Sequence, residues 1–128
     1  IDILNRGKAF FDKKNTFILS PHTKTDEVRD YLIRKGFKIL KEDMCIDDGK
    51  FYTVMEVRYT ENTVMYSEVE LLYGKYLIEN KHPVLLRFLK KEEEKYLSIL
   101  SNTGLNEDRK KELGHRLDII KETMNEMQ

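Results

Sequence analysis

Residues Thr16 to Phe37 read TFILSPHTKTDEVRDYLIRKGF. The first four, Thr16-Phe-Ile-Leu19, form a short continuous apolar run, which predicts a strand covered on both faces, as in a parallel sheet. Pro21 ends it, because proline brings no donor to a strand ladder. Thr23 or Thr25 then offers a hydroxyl to cap a helix, with Asp26 and Glu27 in the first turn, where the helix dipole favours negative charge. Val28, Tyr31 and Leu32 supply its inward stripe, and Gly36 behind Arg34 and Lys35 is the expected left-handed stop. This is the alternation of an α/β protein. In open α/β sheets ligands bind at the carboxyl ends of strands, so Ser20, Pro21 and His22 are the first pocket candidates.

Working outward, Ile3, Leu4, Gly7, Phe10 and Phe11 recur at helical spacing, so an amphipathic helix is expected ahead of the strand. The chain opens on Ile1 with that pattern already under way, and we expect it to continue a larger protein. Downstream the period changes. Phe37 and Ile39, then Phe51, Thr53, Met55 and Val57, alternate as strands do, and Asp48-Gly49 between them signals a tight hairpin. After Glu61-Asn62 the pattern is helical. Leu86, Leu89, Glu93, Tyr96 and Leu100 step by three and four, as do Leu113, Leu117, Ile120, Met124 and Met127. Ser101 to Gly104 is a turn and Asn106 a cap for the second helix, so an antiparallel coiled-coil hairpin is expected. The domain division is 1–62 for the α/β part and 63–128 for the helical part.

Composition narrows the function classes. The 128 residues carry 23 basic and 23 acidic side chains, so net charge argues neither for nor against nucleic acid, and only a local basic patch can do so. Cys45 is the single cysteine, which excludes an internal disulfide and points to a reducing cytoplasm. No apolar run reaches the roughly twenty residues that span a bilayer. No histidines, thiols or carboxylates stand at metal-ligand spacing, so no metal site is expected. His82 and His115 have less to recommend them than His22.

Several segments, in order, resemble one family. ILSPH (Ile18 to His22), VRDYLIRKGFKI (Val28 to Ile39), DDGKFYTV (Asp47 to Val54), YSEVELLYGKYLI (Tyr66 to Ile78) and KHP (Lys81 to Pro83) are similar to the carboxyl-terminal half of the bacterial tRNA (adenine(22)-N(1))-methyltransferase family. The resemblance implies the carboxyl half of a Rossmann-like class I methyltransferase sheet, with a parallel strand and a closing antiparallel hairpin, followed by the helical hairpin. It implies S-adenosylmethionine as cofactor of the full-length protein and tRNA as substrate. Two positions depart from the family pattern: Ser20-Pro21-His22 replaces glutamine-proline-asparagine, and Lys75 replaces a proline. The family's glycine-containing cofactor motifs have no counterpart here, so no cofactor-binding residue is assigned in this chain, which is expected to be inactive alone.

The remaining candidates are weighed on their residue types. Tyr66 and Tyr73 could stack on an unpaired base, although their helical spacing, shared with Tyr76, equally suits core packing. Lys81, Arg87, Lys90, Lys91 and Lys95 form a basic run suited to tRNA phosphates, interrupted by Glu92-Glu93-Glu94, which favours a solvated helix of paired charges. Two alternatives to the enzyme stay open: a non-enzymatic RNA- or protein-binding helical module, and a coiled-coil homodimer through the apolar seam. Neither a membrane nor DNA is an expected partner.

Overall fold

Asp48 and Gly49 take φ of 51° and 75°. Consecutive positive φ values are what a two-residue hairpin turn of matching twist demands, and aspartate and glycine tolerate them best. They join β2 (Phe37–Asp47) to β3 (Lys50–Tyr59), the expected hairpin, closed by the Asp47–Lys50 pair. The computed structural model describes residues 16–21, 23–102 and 104–128. The helix expected over Ile3 to Phe11 lies outside the described residues, and so does His22.

β1 (Thr16–Leu19) pairs with β3, giving the order β1-β3-β2 with both ladders antiparallel. β1 and β2 run in the same direction with β3 antiparallel between them, so no two strands of the described sheet are paired in parallel. Nor is β1 covered on both faces, since Phe17 and Leu19 pack against the core while Ile18 is 68% exposed. The apolar run therefore alternates after all, with only one face covered by described elements.

The core gathers on that face. Leu32 from α1 (Thr25–Arg34) meets Phe37, Ile39, Met55 and Val57 of the sheet, and Phe37 is held edge-on by Phe17 and Tyr59, with ring centroids 5.7 and 5.2 Å away. Burial of each such side chain contributes about 1.5–3 kcal/mol. Gly36 follows α1 with φ of 87°, as expected of the glycine stop. The start of α1 differs from expectation. Its N-cap is Lys24, which has no acceptor to offer, and no side chain caps the helix, so neither Thr23 nor Thr25 plays that part.

A single extra residue governs the middle of β2. The pairing shifts between Ile39 and Lys41, leaving Leu40 as a bulge. Phe37 and Ile39 point inward before it, Glu42 and Met44 after it. Unbroken alternation would have turned Lys41 and Asp43 inward instead.

The chain forms two compact units, 1–77 and 78–128. The first also contains α2 (Glu68–Tyr73), which opens with a capping box: Ser67 accepts from the Glu70 amide while Glu70 accepts from the Ser67 amide. A short helix, α3 (Lys75–Glu79), follows. In the second unit α4 (Pro83–Leu100) and α5 (Glu107–Met127) pack on one another. Leu85 and Leu89 are buried on α4, and Leu113, Leu117, Ile119, Ile120, Thr123 and Met127 on α5. The buried residues of α5 include Leu113, Leu117, Ile120 and Met127 of the expected spacing, with Met124 only half-buried, whereas on α4 only Leu89 of the expected positions is buried, Leu86, Glu93, Tyr96 and Leu100 being half-buried and Leu85 buried instead. His82 caps α4, its Nδ1 accepting from the Val84 amide at 3.1 Å, ahead of Pro83 at the first helical position. Asn106 caps α5, its Oδ1 accepting from the Arg109 amide at 2.8 Å.

Replacing Asn106 by alanine removes that acceptor, and the expected loss is about 1 kcal/mol in chemical denaturation. Asn106→Ser should restore most of it. Equal stability of the alanine variant would mean that the cap contributes nothing.

Candidate functional site

Arg29 lies on the inward stripe of α1 beside Leu32 and Ile33 and is 1% exposed. A buried guanidinium needs an opposite charge and partners for its other donors. Its Nε donates to Glu42 Oε2 at 2.8 Å, and its Nη1 donates to the carbonyl of Leu71, the fourth residue of α2, at 2.8 Å. Glu42 faces Arg29 because of the Leu40 bulge, and its Oε1 accepts weakly from the Tyr76 amide at 3.4 Å. The pair therefore touches the chain on both sides of Gly74. That glycine has φ of 94°, and a Cβ there would fall 2.8 Å from Arg29 Nη2 and 2.9 Å from Glu42 Oε2. The YSEVELLYG segment is thus a docking device: Ser67 and Glu70 start the helix, Leu71 ligates the arginine, and Gly74 lets the backbone cross the ion pair.

Sequence reading missed this cluster. An arginine at three and four residues before Leu32 and Ile33 was its one visible sign; Glu42 was hidden by the bulge.

Tyr66 packs half-buried against the core next to this pair. Burial, and then the neighbouring Tyr76 hydroxyl and Glu42 carboxylate, push its own hydroxyl well above the ordinary value of 10.0, with Arg29 opposing. Tyr73 is 2% exposed, so its ring faces the protein interior rather than a base. Ser20 is exposed and Pro21 half-buried at the carboxyl end of β1, and the Pro21 carbonyl accepts from the Thr53 amide at 3.2 Å. Of the five pocket candidates, Ser20 and Pro21 lie at the end of β1, Tyr66 and Tyr73 at the start and end of the α2 segment, and His22 lies outside the described residues.

The basic candidates are all exposed: Lys81 ahead of α4, and Arg87, Lys90, Lys91 and Lys95 along it. Arg87, Lys91 and Lys95 stand four apart on one helix face, with Lys90 beside them. Of the interrupting glutamates, Glu92 turns to Tyr96, whose hydroxyl is pushed up by burial and by that carboxylate while Arg116 opposes. In the first unit a cleft of about 420 Å³ between α1 and α2 is lined by Asp26, Glu27, Asp30, Glu68, Leu71 and Leu72. Four carboxylates there repel phosphate. Among the described residues no group of histidine, cysteine, aspartate or glutamate is placed to hold a metal ion, and no helix is long and apolar enough to cross a membrane.

A last strand inserted antiparallel between two strands of common direction, with a helix joining those two, is the closing half of a class I methyltransferase sheet. The pattern of the tRNA (adenine(22)-N(1))-methyltransferase family matches residues 1–125, and the chain belongs to that family. It is 26% identical over 133 residues to the tRNA (adenine(22)-N(1))-methyltransferase of Bacillus subtilis (strain 168), covering 96% of this chain and 56% of the relative. Among solved structures, the fold is similar to that of Streptococcus pneumoniae Sp1610, assigned as a tRNA (m1A22) methyltransferase, with a TM-score of 0.88 at 27% identity over 96% of this chain and 55% of that one. A second structure of the Streptococcus pneumoniae protein, in complex with S-adenosyl-L-methionine, gives a TM-score of 0.82 at 26% identity over 96% of this chain and 53% of that one. The chain spans about half the length of the relatives it matches.

Breaking the buried pair from one side leaves an uncompensated charge. Arg29→Met or Glu42→Leu should each cost about 3–5 kcal/mol in urea denaturation, and the double variant much less than the sum. Additive losses would show that the two side chains act independently. Gly74→Ala, which meets the pair in a strained conformation, should cost at least about 1–3 kcal/mol.

Tyr66 predicts an alkaline limb. Its folded-state pKa is raised, so the folded chain holds a proton that the unfolded chain releases above about pH 10. The contribution is full below that pH and is lost as pH rises further. Thermal unfolding followed from pH 8 to 11 should fall less steeply for Tyr66→Phe than for the parent. Parallel curves would show that this hydroxyl is not perturbed.

Proposed function

We propose that this chain supplies the carboxyl half of an S-adenosylmethionine-dependent tRNA (adenine-N1) methyltransferase: the closing strands of the sheet, the far wall of the acceptor pocket and a helical surface for tRNA. The observation that carries this reading is the β1-β3-β2 order together with family membership over residues 1–125. The cofactor does not fit the described residues. β1 passes through Leu19-Ser20-Pro21 with no glycine turn leading into α1, so the described residues offer no cradle for a nucleotide there, and no step is assigned to the cofactor through this chain. When bound in the complete protein, S-adenosylmethionine would supply the methyl group.

On the acceptor side, N1 of adenine is a neutral, weak nucleophile, so alignment rather than acid–base chemistry carries the rate. The base must leave its stack to reach the donor. Ser20 and Pro21 stand at the strand end that would face it, with His22 next in sequence and Tyr66 nearer the buried ion pair. Pro21 fixes φ there, which suits a site that works by orientation. In the helical domain Lys81, Arg87, Lys90, Lys91 and Lys95 would neutralise tRNA phosphates, adding affinity without base choice. The division of roles remains 1–62 for the methyltransferase half and 63–128 for an antiparallel coiled-coil hairpin, although the compact units part at Leu77. An intrachain hairpin is favoured over a homodimer because Leu113, Leu117 and Ile120 are already buried within the chain. Action on tRNA places the protein in the cytoplasm.

The test is methylation of tRNA by the complete protein, with and without Lys90→Ala and Lys91→Ala. The double variant should weaken tRNA binding and lower the slope of log affinity against log salt by about one for each lysine that meets a phosphate, leaving cofactor affinity unchanged. An unchanged slope would return these lysines to an ordinary solvated helix face.

A further inference from the structure

The sheet has a second face. The core takes Phe17, Leu19, Phe37, Ile39, Met55 and Val57, so strand parity puts Ile18 of β1, Val54, Glu56 and Arg58 of β3, and Lys38 and Lys41 of β2 on the side away from it. Ile18 is 68% exposed there, and Val54, diagonal to it across the β1–β3 ladder, is half-buried. A sheet face that meets water carries polar residues at such positions. Sheets in α/β proteins instead cover both faces with helices, and α1 lies on the core side alone.

The charges of this face are unevenly matched. Lys38 and Arg58 stand directly opposite one another, both exposed, and like charges so placed destabilise a ladder. Among the described residues neither makes an ion pair. The remaining charges do not relieve them. Glu56 lies opposite Lys41, and Asp43, further along β2, accepts from the Met44 amide. The face thus joins an apolar centre at Ile18 and Val54 to two unmatched cations, which lie at the end of the sheet away from Ser20 and Pro21.

We propose that this face receives an amphipathic helix whose apolar stripe covers Ile18 and Val54 and whose acidic flank meets Lys38 and Arg58, supplied by the part of the complete protein that its relatives have beyond this chain. Those relatives carry nearly as much chain again, since 56% and 55% of their lengths are matched. Charge disfavours the nearer occupants. Residues 1–15 hold Arg6, Lys8, Lys13 and Lys14 against Asp2 and Asp12, an excess of the same sign as Lys38 and Arg58. A second copy packed face to face brings two more of the same cations. A nucleic acid matches the cations but not Ile18 and Val54. This surface presupposes that the chain is the carboxyl half of a longer protein, as proposed above, but not the reaction that protein performs.

The experiment uses the complete protein carrying Cys45→Ser, so that the exposed native thiol is silent. Ile18→Cys, and as a control Met65→Cys at a 94% exposed position, are labelled with a maleimide in the absence of tRNA. Ile18→Cys should react at least about tenfold more slowly than Met65→Cys, because a covered side chain is modified only when the structure opens. Separately, Arg58→Glu and Lys38→Glu should each lower the unfolding temperature by about 2–4 °C. On an open face either reversal would instead set opposite charges across the ladder and raise that temperature or leave it unchanged. Equal labelling of the two cysteines overturns the inference. Reversals that do not destabilise also overturn it, and a stabilising one points to residues 1–15 as the cover. Protection that appears only with tRNA, or that grows with protein concentration, overturns it in favour of nucleic acid or of a second copy. A parent protein that transfers no methyl group to tRNA overturns the methyltransferase reading and leaves the labelling result standing.

Discussion

Two opposite charges removed from water must find each other and satisfy their remaining hydrogen-bonding groups, and in this chain that requirement falls on Arg29 and Glu42. Arg29 binds Glu42 and the Leu71 carbonyl; Glu42 also meets the Tyr76 amide. Four separate stretches of sequence are thereby fixed relative to one another: the first helix, the second strand, the helix opened by Ser67, and the turn at Gly74. A hydrophobic pair of the same volume could be as stable, but it would not specify which backbone carbonyl and which amide must approach. The ion pair selects an arrangement more than it adds free energy.

The same net-neutral composition hides a segregation of charge. Carboxylates of Asp26, Glu27, Asp30 and Glu68 line the cleft of the first unit, whereas Arg87, Lys90, Lys91 and Lys95 gather along one helix of the second. Summed over 128 residues these fields cancel. A phosphate responds only to what lies within a Debye length, about 8–10 Å at ordinary ionic strength. The equality of 23 basic and 23 acidic residues therefore carries no information about nucleic-acid binding in either direction.

Much of this architecture was legible because local chemistry and tertiary environment agree. Asp48-Gly49 demanded a hairpin, Asn106 a cap, and the leucines of the last helix a seam, and each is found. What escaped was set by neighbours. The contiguous apolar residues of β1 suggested cover on both faces, yet its partner in the described sheet, β3, comes from some forty residues away in sequence and leaves Ile18 exposed. The cap of the first helix was misplaced because Lys24 takes a left-handed conformation that no side-chain preference announces. Glu42 looked like one charge in a charged strand until the Leu40 bulge reversed the phase of everything after it. The family's tyrosine-serine segment was recognisable as a motif, but its reason, an ion pair beneath a glycine, was not.

The insertion of β3 between its two predecessors also has a bearing on the order in which the sheet can assemble. Within the described sheet neither β1 nor β2 touches the other, and both wait for residues 50–59. During synthesis the hairpin can zip locally as soon as its second strand leaves the ribosome, since its turn is only two residues long. β1 must remain unpaired within this sheet through the whole of α1 and β2, a closure across some thirty residues whose entropy is met before any contact rewards it. An arrest or truncation before Met55 would consequently leave the Phe17 and Leu19 face without Val57 and Met55, exposing apolar surface and a strand edge of the kind that chaperones and aggregates both recognise.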